Sequence, residues 1–114
     1  MASYAFSWNT ITFSESGGEL TATINLEGTA EGFGTVMGTL SAHGAGTPSG
    51  TYDLLCVSFP ESGEQVIARG TGEWRQEAGD RWISNGSAEL SNGDTIKADG
   101  VFLLQERTWS GNFG

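Results

Sequence analysis

The chain leaves almost no room for an α-helix. It carries eighteen glycines and two prolines in 114 residues, and after residue 16 no stretch free of both exceeds ten residues. Isolated helices need about 12 to 15 residues, and helices in proteins average about 11 to 12. The short alternating runs between the glycines are typical of β-strands. The sequence therefore predicts an all-β protein.

Cysteine and histidine each occur once, as Cys56 and His43. A single cysteine excludes an intrachain disulfide and makes no demand for an oxidising compartment. One cysteine and one histidine also fall short of the usual ligand set of a structural zinc. No loop carries a calcium signature, and no Gly-rich turn opens a helix that could hold a pyrophosphate. We therefore expect neither a metal nor a cofactor.

Basic residues are scarce and absent from the first 68 positions. Five Lys and Arg residues stand against fourteen Asp and Glu, which gives a formal net charge of −9. Such a chain would repel the phosphates of nucleic acids and the surface of an anionic membrane. The first residues lack the features of a signal peptide, and no apolar stretch is long enough to span a membrane. The expectation is a cytoplasmic protein without nucleic-acid or membrane partners.

What the chain does contain is enough apolar and aromatic surface for one core. Apolar residues make up 37%, including four Trp and six Phe. Strands of about ten residues joined by short turns indicate a single domain over residues 1–114, an antiparallel up-and-down β-barrel of seven or eight strands. Some strands are apolar on both faces, so we expect part of the outer wall to pack against a second copy in a homo-oligomer.

Turn motifs predict the strand pairing. A two-residue turn at Gly17-Gly18 places Ile11 opposite Ile24, with a bulge near Asn9 or Thr10. A two-residue turn at Asn92-Gly93 places Ile83 opposite Phe102 and Trp82 opposite Leu103. The final strand, from Thr95 to Trp109, has a natural bend at Asp99-Gly100, and whether that bend splits it decides between seven strands and eight.

The glycine-bounded strands GFGTVMGTL (32–40), DGVFLLQE (99–106) and WSGNF (109–113), together with the turn at 92–93, resemble the allene oxide cyclase-like barrel proteins, which include the dirigent proteins. The resemblance covers about half the chain and contains no catalytic motif. It implies an eight-stranded, often oligomeric barrel. The mouth of such a barrel binds a hydrophobic small molecule and in several members steers a cyclisation without a cofactor.

A second resemblance is to the avidin-like barrels. TWSG (108–111), Trp8-Asn9 and GELT (18–21) are similar to strands of that family, although their order and the other binding positions do not follow it. This resemblance implies biotin binding. Retention of the protein on a biotin resin is the test.

Candidate acid–base residues lie in the hairpin around residues 60–63. With a four-residue loop, Asp53 faces Gly70 among apolar residues, and desolvation there would raise the pKa of its carboxyl group. The opposite face carries Arg69 and Glu73, which inside a cavity would form an acid–base and oxyanion-stabilising pair. Only one of these faces can line the cavity, and a solvated role remains the alternative for each. Tyr52 is the candidate phenol donor.

Ligand contacts are expected from the large aromatic residues. The candidates are Trp8, Trp74, Trp82, Phe102 and Trp109, which packing alone would also explain. The sequence thus predicts a cofactor-free cyclase, isomerase or lyase that acts on a hydrophobic metabolite in the barrel. The alternatives are a non-catalytic binding barrel of lipocalin or avidin type, and a sugar-binding β module. His43, at a strand end, is a conceivable general base or a solvated side chain.

Overall fold

The computed structural model describes the whole chain, Met1–Gly114, as eight antiparallel β-strands. Their bounds are β1 (Ala2–Ser16), β2 (Glu19–Ala30), β3 (Gly34–His43), β4 (Ser49–Phe59), β5 (Val66–Ala78), β6 (Arg81–Leu90), β7 (Thr95–Leu103) and β8 (Thr108–Phe113). The structure contains no helix with the length and hydropathy needed to span a bilayer.

Each strand pairs with the next, and β1 pairs with β8 to close the cylinder. The closing ladder sets Ala2 opposite Phe113 and Ser7 opposite Thr108. Closure leaves no unpaired strand edge, so every strand has a hydrogen-bonded neighbour on both sides. The predicted all-β, up-and-down barrel is confirmed, with eight strands.

The first hairpin has the predicted geometry. Gly17 and Gly18 both adopt a positive φ, as a two-residue type I′ turn requires, and Ile11 pairs with Ile24. The register shifts by one between Trp8 and Ile11, which confirms the bulge at Asn9 and Thr10. Because of that bulge, the two halves of β1 present opposite parities to the barrel interior.

The predicted register of the β4–β5 hairpin is wrong by one residue. Asp53 pairs with Thr71 instead of Gly70, because Ser58 pairs with Val66 and the connection between the strands therefore holds one residue more than the predicted four-residue loop allows. A slip of one residue exchanges the two faces of a strand. It brings Tyr52, and not Asp53, to the inner face of β4, opposite Gly72.

The β6–β7 register is also wrong by one. Trp82 pairs with Phe102, because residues 91–93 form a three-residue loop in which only Gly93 has a positive φ. Three-residue hairpin loops commonly consist of a type I turn followed by one residue in the left-handed conformation. A turn over residues 104–107, in which Arg107 adopts φ 55°, separates β7 from β8. The predicted break at Asp99-Gly100 does not occur, because both residues lie within β7.

Inward glycines make room for large rings. The ring of Tyr52 lies against Gly72 and its hydroxyl against Gly86, so a Cβ at either glycine would overlap the phenol. Gly100 accommodates the Tyr4 hydroxyl and the Trp109 indole in the same way. The interior is therefore packed by a few aromatic side chains set against bare backbone.

The outer wall of β3 and β4 carries exposed apolar side chains. Met37 is 50% exposed and Leu55 51%, with Phe59 nearby on the same face of β4. This agrees with the expectation of apolar residues on both faces of these strands. The homo-oligomer itself stays a prediction, which a measured molar mass tests.

Candidate functional site

The barrel interior contains two cavities of very different size. The larger has a volume of about 500 Å³ and lies at the end where β1 meets β2 and β3 meets β4. The smaller, of about 90 Å³, lies toward the chain termini. Small-molecule sites in proteins occupy about 300 to 1,000 Å³, so only the larger cavity has the size of a ligand site.

Aromatic rings separate the two cavities. Tyr52 borders both, while Phe102 borders the larger and Trp109 the smaller. The rings of Phe102 and Trp109 stack with centroids 4.8 Å apart and planes 3° from parallel. This layer forms the floor of the larger cavity.

The larger cavity is lined almost wholly by apolar and aromatic side chains. The lining includes Ile11, Phe13 and Leu104. Ile11 is 46% exposed and Phe13 57%, so the cavity opens to solvent beside the end of β1. The bulge in β1 is what lets Trp8 and these two residues face the same space.

No acidic or basic side chain lines the larger cavity. The polar side chains among its lining residues are those of Thr47, Gln76 and Tyr52, together with the indoles of the three tryptophans. Burial raises the pKa of Tyr52 to about 12, because the phenolate would be desolvated. Tyr52 is therefore a neutral hydroxyl at ordinary pH, able to donate a hydrogen bond but not to act as a base.

Two of the three buried indoles donate to protein acceptors. Trp74 Nε1 donates to the Thr51 carbonyl oxygen at 2.9 Å, and Trp109 Nε1 donates to Ser84 Oγ at 3.0 Å. The third, Trp8, is 7% exposed, and its Nε1 has no acceptor in the protein. A buried donor without an acceptor costs about 1 to 3 kcal/mol.

Arg107 holds the β7–β8 turn against Trp8. Its guanidinium carbon lies 5.4 Å from the centre of the indole, and its carbonyl oxygen accepts from the Trp8 backbone N–H at 2.9 Å. Its Nη1 donates to the Leu104 carbonyl oxygen. These contacts fix Leu104 at the rim of the larger cavity.

The smaller cavity holds the other buried titratable groups. Cys56 lines it, and burial raises the pKa of the thiol to about 12, so this side chain packs as a small buried hydrophobe. Tyr4 donates to the Asp99 carbonyl oxygen at 2.8 Å. Burial, with lesser contributions from Tyr52 and Asp99, raises the pKa of Tyr4 far above its usual value.

The candidate carboxylates lie outside the barrel. Asp53, Arg69 and Glu73 are all exposed and belong to the outward faces of β4 and β5. The sequence-based placement of Asp53 in an apolar pocket is wrong because of the one-residue slip in register. The alternative placement of Arg69 and Glu73 inside is wrong for the same reason, since Ala68, Gly70 and Gly72 take the inner positions. Only Tyr52, of the four proposed catalytic residues, reaches a cavity.

Asp53 instead meets His43 across the β3–β4 ladder. Its Oδ2 lies 2.7 Å from His43 Nε2, and Thr21 Oγ1 lies 3.2 Å from His43 Nδ1. Glu19 Oε1 is 3.8 Å from the same Nδ1. The pair is diagonal across two strands, so the turn motifs alone did not reveal it. It forms a solvated polar network on the outer wall.

The aromatic candidates fall mostly in one place. Four of the five, Trp8, Trp74, Trp82 and Phe102, line the larger cavity, while Trp109 borders the smaller one. Ile11, Phe13 and Leu104 were missed as site residues. The parity change in β1 was the signal that could have identified the first two.

The fold and the cavity define a small antiparallel barrel with one ligand-sized, uncharged interior site. In comparisons with protein-family models, curated proteins and solved structures, the chain has no match. The resemblances to allene oxide cyclase-like and avidin-like barrels therefore stay predictions.

Proposed function

We propose that this protein binds an uncharged hydrophobic small molecule in the larger cavity and does not transform it. The observation that carries the proposal is the 500 Å³ interior space lined by thirteen hydrophobic residues among sixteen. Burying apolar ligand surface there contributes roughly 25 cal/mol per Å². The aromatic walls add contact area on rigid side chains.

Binding is favoured over the predicted cyclase, isomerase or lyase activity because the lining offers no acid–base pair. Proton transfer needs a group whose pKa lies near the working pH and within hydrogen-bond reach of the substrate. The carboxylates of Asp53 and Glu73 lie on the outer wall. Tyr52, with its raised pKa, contributes a neutral donor only.

Charge favours a neutral ligand. A carboxylate or ammonium moved into this lining would lose its hydration without gaining an ionic partner. The net charge of −9 also disfavours the approach of an anion. We therefore expect 9-fluorenone to bind more tightly than fluorenone-2-carboxylate at neutral pH, as measured by equilibrium dialysis.

The main test is binding of N-phenyl-1-naphthylamine, an uncharged dye whose fluorescence rises in apolar surroundings. Ala42 lines the larger cavity, so Ala42→Phe places a ring in the ligand space. We expect this variant to weaken dye binding by roughly tenfold or more, equivalent to about 1.4 kcal/mol. Circular dichroism checks that the barrel remains folded.

Leu55→Ser is the matched control for dye adhering to the apolar outer wall. Leu55 points away from the interior, so the dye affinity of this variant should equal that of the wild type. Loss of binding in Leu55→Ser, or full binding in a folded Ala42→Phe, contradicts the proposal. Absence of binding by the wild type contradicts it as well.

A further inference from the structure

Trp8 differs from the other buried tryptophans in one respect that concerns the larger cavity. Its indole forms part of the cavity lining and is 7% exposed, yet no protein group accepts a hydrogen bond from Nε1. It is the one buried side-chain polar atom in the protein without a hydrogen-bond partner. Buried indole N–H groups normally have an acceptor.

The contacts that Trp8 makes leave its Nε1 without an acceptor. Its backbone N–H is already bonded to the Arg107 carbonyl oxygen, and the Arg107 guanidinium, which only donates, lies 5.4 Å from the centre of its ring. The larger cavity, which the Trp8 indole lines, is the space from which a ligand acceptor can reach Nε1 once the ring turns.

From this geometry we infer that the ligand of the larger cavity carries a hydrogen-bond acceptor, such as a carbonyl, an ether or a ring nitrogen, and that Trp8 Nε1–H binds it. This inference rests on the proposed function and names the chemical class of its ligand. The ligand is a neutral, mostly apolar molecule with at least one such oxygen or nitrogen, and not a plain hydrocarbon.

For a ligand acceptor to bind Nε1, the side chain of Trp8 must move slightly. Nε1 has essentially no solvent-exposed surface, so the indole must turn toward the cavity for an acceptor to approach within hydrogen-bond distance. The space on that side is sufficient, since the cavity measures about 500 Å³. Because the turn changes the position of the ring relative to Arg107, we expect binding to alter the tryptophan fluorescence.

The test compares two planar probes that differ in a single group. Fluorene has a CH₂ where 9-fluorenone has a carbonyl, and equilibrium dialysis measures both against the intact protein. We expect the wild type to prefer fluorenone over fluorene by roughly five- to tenfold, the effect of one net hydrogen bond. Trp8→Phe keeps an aromatic ring but removes the N–H, so the preference should fall to near unity while fluorene still binds.

Trp74→Phe is the control substitution. Trp74 lines the same cavity, but its N–H is already bonded to the Thr51 carbonyl oxygen. This variant should keep the wild-type preference for fluorenone. A preference lost equally in both variants would assign the effect to ring packing and overturn the inference.

The outcomes separate the inference from the proposed function. Equal binding of both probes by the wild type, or an unchanged preference in Trp8→Phe, overturns the inference alone. Failure of the wild type to bind either probe overturns the proposed function and the inference with it. A fluorenone preference that depends on Trp8 but not on Trp74 supports both.

Discussion

The phenol ring of Tyr52 lies directly against Gly72, its cross-strand partner on β5, with no space for a side chain between them. Tyr52 is 3% exposed and borders both cavities. The glycine on the neighbouring strand is therefore what allows a large ring to lie across the barrel and divide its interior.

Gly72→Ala should displace Tyr52 and destabilise the barrel. The added methyl group overlaps the ring and the Asn85 carbonyl oxygen, and overpacking of this kind costs about 1 to 3 kcal/mol or more. Urea unfolding measures the free energy of unfolding. Gly79→Ala is the control, because no atom lies within 4 Å of its added methyl group. Equal stabilities for the two variants would contradict this account of Tyr52.

Trp109→Phe should destabilise the protein more than Trp8→Phe. Trp109 is 2% exposed and donates to Ser84, a buried side chain that would lose its partner. Trp8 has no such bond to lose. We expect a difference of at least about 1 kcal/mol in the free energy of unfolding. Denaturant titration of both variants against the wild type measures it, and a larger loss in Trp8→Phe would contradict the prediction.

Tyrosine ionisation should be delayed in the folded protein. The chain has two tyrosines, and burial raises the pKa of Tyr52 to about 12 and that of Tyr4 further, against 10.0 for a free phenol. The unfolded chain therefore releases these protons at lower pH than the native barrel. Stability is fully present below pH 10 and decreases as pH rises toward 12. Near-ultraviolet phenolate absorbance should stay low at pH 10 in buffer and appear there in denaturant; equal absorbance in both would refute this.

Asp53→Asn and Glu73→Gln should leave ligand binding unchanged. Both carboxylates are exposed on the outer wall, separated from the larger cavity by the backbone of the barrel. The affinity for N-phenyl-1-naphthylamine is the measurement, with Ala42→Phe as the variant that reports a blocked cavity. A marked loss of affinity in either carboxylate variant would show that the outer wall takes part in binding.

The fold class and the first hairpin were predictable because glycine spacing excludes helices and Gly17-Gly18 favours a type I′ turn. The registers of the β4–β5 and β6–β7 hairpins were not predictable from their turn sequences. Asn92-Gly93 is compatible with a two-residue or a three-residue loop, and the two choices differ by one residue in register. Apolar residues on both faces of β4 gave no pattern with which to correct the loop length.

Those slips explain why the site was only partly predictable. The aromatic candidates were chosen by residue type and not by the face that a predicted register gave them, and four of them line the larger cavity. Whether a charged candidate lies inside the barrel depends on the strand face that it occupies, and therefore on the register. One residue of slip moved Asp53 to the surface beside His43 and brought Tyr52 inside.

The closing ladder between β1 and β8 has a practical consequence for the two ends of the polypeptide. Ala2 pairs with Phe113, and both lie at the end of the cylinder away from the larger cavity. A reporter fused to either end, or a tether to a sensor surface, would leave the entrance unobstructed. The immobilised barrel would then present its opening toward the analyte.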